Sequence, residues 1–149
     1  MKIIQLNVFG FDNNYSYLIV GKNNETIIID PTGEKDLIEK EIQKNNLKIR
    51  LLLITHSHPD HIELVEYFKS RGIPLKNFEE LKNNPLFEIF GIKIKTIFVP
   101  GHTKDSVCFL IKNNLFTGDT LFVNGIGTTS FGGNKKQLKN SIKLLSKLD

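Results

Sequence analysis

The chain has 149 residues, 40% of them hydrophobic and 24% charged, and carries a formal net charge of +4. These values describe one ordinary globular domain over 1–149, long enough to bury a core. Its excess lysines are scattered among asparagines, as in Lys22-Asn23-Asn24 and Asn134-Lys135-Lys136, with no basic stripe interleaved with aromatics, which argues against a nucleic-acid partner. No apolar run approaches the ~20 residues of a membrane span, and Met1 to Asn14 lacks the continuous apolar stretch of a signal peptide, so the expectation is a cytoplasmic protein without a membrane partner.

In chain order, Lys2–Val8, Tyr15–Val20 and Glu25–Ile29 are short and rich in β-branched and aromatic residues, and they predict three strands. Asp30-Pro31-Thr32-Gly33 closes the third with turn chemistry. Leu37, Ile38 and Ile42 are spaced for one face of a helix within Glu34 to Asn46. Arg50–Ile54 is nearly all apolar, as a strand covered on both sides would be. Leu64, Val65 and Phe68 predict a helix over Ile62–Arg71, stopped at Gly72. Leu86–Phe90 and Ile92–Val99 flank Gly91 as a hairpin, and Ser106–Ile111 and Leu115–Thr117 flank Asn113-Asn114 as another. Thr120–Val123 reads as a short strand or turn before the glycine-rich stretch Gly125 to Gly133. Gln137–Leu148 ends the chain as an amphipathic helix with Leu138, Ile142, Leu145 and Leu148 on one side. Strands dominate early and helices are interspersed, a layered α/β pattern.

The single cysteine, Cys108, allows no intramolecular disulfide and lies in the apolar run Val107-Cys108-Phe109-Leu110-Ile111, where a buried structural thiol is expected.

The most informative segment is His56-Ser57-His58-Pro59-Asp60-His61, which holds three of the chain's four histidines directly after an apolar strand. Imidazole and carboxylate are donors suited to zinc and iron. In an extended segment residues two apart share a face, so His56 and His58 can converge on one ion. Asp60 and His61, beyond the turn at Pro59, can address a second position. A catalytic zinc usually has three protein ligands and a water, so the rest of the chain must complete the set. Two candidates are His102, in Pro100-Gly101-His102-Thr103 with Thr103 or Ser106 near enough in sequence to hold its ring, and Asp119, in Thr117-Gly118-Asp119-Thr120.

The ordered set His56-x-His58-x-Asp60-His61, Gly101-His102-Thr103 and Thr117-Gly118-Asp119-Thr120 resembles the metallo-β-lactamase superfamily, and Asp30-Pro31 fits that family's opening. The stretch Phe116–Phe122, followed by Gly125-Ile126-Gly127 and Gly132-Gly133, is most similar to the glyoxalase II (hydroxyacylglutathione hydrolase) branch. The resemblance implies an αββα sandwich. It also implies that His56, His58 and His102 hold one metal, that Asp60 and His61 help hold a second, and that Asp119 bridges them. The cofactor implied is Zn2+, one or two ions, with Fe2+ or Mn2+ as alternatives. The activity implied is hydrolysis of a thioester or other small acyl substrate through a metal-bound hydroxide, with Asp60 orienting it or shuttling its proton.

The chain departs from the family pattern in three places. Thr128 replaces a basic residue, and His61-Ile62-Glu63 replaces a small glycine-containing turn. The family's further histidine for the second metal would follow Gln137–Leu148, where this sequence stops at Asp149. The expectation is therefore a fold incomplete at its C-terminal end, with a short-handed second position and apolar surface inviting self-association. Two other readings remain open from sequence. One is a mononuclear iron enzyme of the persulfide dioxygenase type using His56, His102 and Asp119. The other is a metal-binding domain without turnover.

Overall fold

The computed structural model describes residues 1–9 and 14–148. The chain groups into two compact units, Met1–Ile54 with His58–Asn77 and Glu88–Ile92, and Thr55–Ser57 with Phe78–Phe87 and Lys93–Asp149.

In the first unit a five-stranded sheet has the order β1-β2-β3-β4-β5, over Lys2–Asn7, Tyr15–Val20, Glu25–Ile29, Lys48–Leu53 and Leu75–Lys76. β1, β2 and β3 pair antiparallel, whereas β3–β4 and β4–β5 are parallel. A parallel pair needs a long crossover. Helix α1 (Lys35–Lys44) supplies the first, and two short helices, α2 (Pro59–Ile62) and α3 (Val65–Lys69), supply the second. Val8, Leu18, Val20, Ile28, Ile38, Leu47, Leu52 and Phe68 form one buried cluster, joining the sheet to α1 and α3. Ile27, Ile28 and Ile29 are all fully buried, so both faces of β3 are out of water, as an uninterrupted apolar strand requires.

The second predicted helix is broken. Its apolar spacing is real, with Val65 and Phe68 buried, but the helix divides between Ile62 and Val65. Glu63 there accepts bonds from Thr32 Oγ1 (2.6 Å) and Gly33 N (2.7 Å), and Leu64 N donates to Pro31 O (2.9 Å). Glu63 keeps helical backbone angles and bonds the loop after β3 through its side chain, whereas the Leu64 N–H goes to that loop instead of continuing the helical ladder.

The second unit, beyond its short segment Thr55–Ser57, includes a four-residue helix, α4 (Phe78–Leu81), which the sequence pattern did not disclose. A four-stranded sheet follows in the order β6-β7-β8-β9, over Leu86–Ile89, Ile92–Phe98, Val107–Ile111 and Asn114–Phe116, with Glu88–Ile92 counted in the first unit and the rest in the second. The two predicted hairpins are both present. Thr120–Val123 resolves into a 3-10 turn, Gly118–Thr120, and a small ribbon of β10 (Leu121–Phe122) with β11 (Gly125–Ile126). Helix α5 (Lys135–Leu145) is capped by Asn134, whose side chain accepts from Gln137 N. Leu138 and Leu145 are buried, and Leu145 packs with Ile97, Val99 and Cys108 against β7 and β8. Ser141, also on the buried side, is satisfied by donating to Pro100 O at 2.7 Å.

Cys108 is fully buried, and burial pushes its thiol up to about 12. Among the described residues no helix is long and apolar enough to cross a membrane.

Two outcomes are expected. Ile28→Ala should lower the unfolding free energy by about 2–5 kcal/mol, read from urea denaturation, because a cavity opens in the first unit's core. Cys108 should not react with an aromatic disulfide reagent in native protein and should react fully in denaturant, because only the exposed thiolate is nucleophilic.

Candidate metal centre

In the second unit, His56, His102 and Asp119 come from three separate loops. Thr55 anchors the first loop, since its carbonyl accepts from Val107 N at 2.8 Å, tying the segment to β8. Gly118 is at φ +47, and a Cβ there would lie 2.5 Å from Thr55 Oγ1. Only glycine tolerates both that conformation and that approach, so the Gly118-Asp119 turn can lie directly on the residue preceding His56. Thr55 Oγ1 also lies 3.1 Å from His56 Nδ1.

His102 sits on the loop between β7 and β8, and α5 fixes that loop. Asn134 N donates to Gly101 O (2.7 Å), beside the Ser141 bond to Pro100. Sequence proximity suggested Thr103 or Ser106 as the holder of the His102 ring. Instead those two bond each other, Oγ1 to Oγ at 2.7 Å, and the carbonyl of Thr128 lies 2.7 Å from His102 Nδ1. This partner is a backbone group 26 residues away, and no side-chain pattern could announce it. Gly127 makes the approach feasible, because a Cβ there would run into the Asp119 carbonyl and lie 3.0 Å from His102 Nδ1.

A carbonyl can only accept, so His102 Nδ1 carries the proton and Nε2 presents a lone pair. That Nε2 is 3.5 Å from Asp119 Oδ2, with the two side chains 3% and 20% exposed. The His56 and His102 rings meet edge to face with centroids 4.8 Å apart, and ligand atoms of His56 lie within 4.8 Å of a ligand atom of His102 and of one of Asp119. Two imidazoles and a carboxylate with lone pairs converging in a largely dry site call for a positive charge among them, and the donor set suits zinc or iron. Asp105 ties the two histidine loops together. Burial pushes its carboxyl up, but hydrogen bonds from Thr103 and Ser57 outweigh this and hold it below the ordinary carboxylate range.

The first unit holds the other candidates. His58 is the residue before α2, half-buried, with extended backbone and Pro59 after it, and its carbonyl accepts from His61 N at 3.0 Å. His61 is buried, and its Nδ1 is 2.9 Å from Asp30 Oδ2. Asp30 follows β3 at φ +51 and is 3% exposed, with its carbonyl accepting from Ser16 Oγ at 2.6 Å. This carboxylate fixes the His61 tautomer, as outer carboxylates do for metal-binding histidines. In the sequence Asp30 stood only as turn chemistry and a family opening. Asp60 is partly buried, its Oδ2 3.6 Å from His61 Nε2 and 2.6 Å from Asn14 Nδ2.

The family description "Metallo-beta-lactamase superfamily" matches residues 9–76 and 73–149 of this chain. The chain belongs to the metallo-beta-lactamase superfamily. It is 35% identical to the "Probable metallo-hydrolase MJ0888" of Methanocaldococcus jannaschii, across 98% of this chain and 85% of that protein. It is 32% identical to a "Hydroxyacylglutathione hydrolase" of Photobacterium profundum across 93% of this chain, spanning 58% of that protein's length. The crystal structure of BLEG-1 B3 metallo-beta-lactamase superposes with a TM-score of 0.86 at 23% identity, covering 95% of this chain and 84% of that one, which shows the fold. The fold is thus the α/β metallo-beta-lactamase fold expected from the motifs. Relatives of different names stand at similar identity, so the chain's membership holds at the level of the superfamily, with one relative named a probable metallo-hydrolase and another a hydroxyacylglutathione hydrolase.

Gly127→Ala should weaken zinc binding by about 10–100-fold, the range for losing an outer-shell partner, because a methyl there displaces the Thr128 carbonyl from His102. Competition with a chromophoric chelator measures it, and an unchanged affinity would show that this contact does not orient the ring.

Proposed function

We propose that this protein is a metal-dependent hydrolase acting on a thioester or another small acyl substrate. The observation that carries the reading is the meeting of His56, His102 and Asp119, with the His102 Nε2 lone pair aimed beside a carboxylate. In this reading His56, His58 and His102 hold the ion with Asp119 beside them, His58 being two residues from His56 along the chain. Asp60 and His61 form the adjoining position. Zinc is the ion of choice for such imidazole-rich sets, and when bound it would polarise the acyl carbonyl and make water acidic enough to react near neutral pH.

The remaining roles fall to the chain's own groups. The Thr128 carbonyl holds the His102 proton on Nδ1, which keeps Nε2 available throughout turnover. The Asp30 carboxylate does the same for His61. Asp60, partly buried and steadied through Oδ2 by Asn14, is positioned as the acid–base group. It accepts the proton of the attacking water as oxygen bonds to the acyl carbon. It returns that proton to the sulfur as the carbon–sulfur bond breaks, so acid and thiol leave with charges balanced. The 32% identity to a hydroxyacylglutathione hydrolase supports a thioester as first choice of substrate.

Acyl-glutathione thioesters should be hydrolysed by zinc-loaded protein and not after chelation. His102→Ala should lose more than ~100-fold in kcat/KM, exceeding the loss typical of an outer-shell partner. A monodisperse, metal-loaded sample without turnover would leave only a metal-binding domain.

A second reading is favoured by one specific feature. His56, His102 and Asp119 lie in a single unit and make a two-histidine, one-carboxylate set, the arrangement of non-haem Fe(II) oxygenases. Iron in the purified protein, with oxygen uptake on glutathione persulfide, would select it over the hydrolase.

A further inference from the structure

Asn14, just before β2, reaches across the first unit to the residues that the hydrolase reading assigns to the second metal position. Its Nδ2 lies 2.6 Å from Asp60 Oδ2, 3.2 Å from Asp60 O and 3.2 Å from His61 Nε2. The two Asp60 oxygens fix the orientation of the amide. Both are acceptors, so the group facing them must be the NH2 and not the carbonyl oxygen.

The tautomer of His61 follows from its other side. Asp30 Oδ2, 2.9 Å from Nδ1, accepts that proton, which leaves Nε2 with its single lone pair. Asn14 donates to that lone pair and to the nearer oxygen of Asp60. These are the electrons with which the pair would bind an ion. Zinc needs imidazole nitrogen and carboxylate oxygen at about 2.0–2.2 Å. An N–H hydrogen and a cation cannot share the one lone pair of an imidazole. The carboxamide thus satisfies both groups with partial positive charge and no ion, and the site is closed by hydrogen bonds from Asn14 to Asp60 and His61 and from His61 to Asp30.

We propose that the Asn14 carboxamide occupies the second metal position, so that this protein works with one ion per chain. The consequence for chemistry is a division of labour. Asp60 and His61 form a hydrogen-bonded network with Asn14 and Asp30, and Asp60 is spared for proton transfer because it ligates nothing. The inference rests on the metal-hydrolase reading for the first ion, and deepens it by setting the metal count.

The test is titration of apo protein with Co2+ and with Zn2+, followed by calorimetry and by elemental analysis after desalting. Wild type should saturate at one equivalent, and Asn14→Ala should take up two. Asn14→Asp, nearly isosteric, adds a carboxylate where the amide stood and should also take up two; it serves if the alanine variant does not fold by circular dichroism. Two equivalents in wild type would overturn the proposal, as would one equivalent in the folded variants. Zero equivalents in wild type would remove both this proposal and the hydrolase. One equivalent without thioester turnover would remove the hydrolase alone, and two with turnover would remove this proposal alone.

Discussion

Ile29 pairs with Leu53 at the carboxyl ends of two parallel strands, and Asp30 N donates to Leu53 O at 2.9 Å just beyond them. That register sets Asp30 at the sheet end where the segment after β4 leaves. Loops at the carboxyl ends of parallel strands are where α/β sheets gather their chemistry, because the strands fix positions while the loops stay free to vary. The chain then turns through His58 and Pro59 into α2, and the turn brings His61 back to Asp30. The helix is interrupted just after this turn, where Leu64 N bonds Pro31 O and the Glu63 side chain bonds Thr32 and Gly33. Local helical propensity gave way to tertiary hydrogen bonds, of which the one from Thr32 Oγ1 is partly buried and the one from Gly33 N is exposed.

The second unit solves a similar problem with backbone. His102 is oriented by a carbonyl, and the glycines at 118 and 127 let two turns approach closer than any side chain would permit. A glycine-rich stretch that reads in sequence as loose loop is packed against the carboxylate and imidazole loops. Its function is positional: the ring nitrogens are presented with their protons already assigned, so no reorganisation is needed when a cation arrives.

Both units therefore fix an imidazole by holding Nδ1, but with different acceptors. His61 has a carboxylate and His102 a neutral carbonyl. The carboxylate-held ring is the one facing the Asn14 amide. A polar side chain that needs no charge can stabilise such a ring, whereas the Nε2 of His102 faces the Asp119 carboxylate. The two histidines look equivalent in sequence and are set to different tasks by what lies beyond them.

The sequence by itself determined the superfamily, the α/β fold and the candidate ligands, because the His-x-His-x-Asp-His spacing, the Gly-His-Thr and Gly-Asp turns and the apolar strand runs are local signals. It placed the strands well and marked Cys108 as a buried thiol. It could not find Thr128 as the partner of His102, since a backbone carbonyl has no residue identity. It showed Asp30 only as a turn residue and part of a family opening, and it gave no reason to single out Asn14. The contacts of Asp30 and Asn14 cross 31 and 46 residues of chain. Sequence lists the groups able to bind a metal; only the fold decides which lone pairs remain for it, because that depends on donors brought in from distant strands.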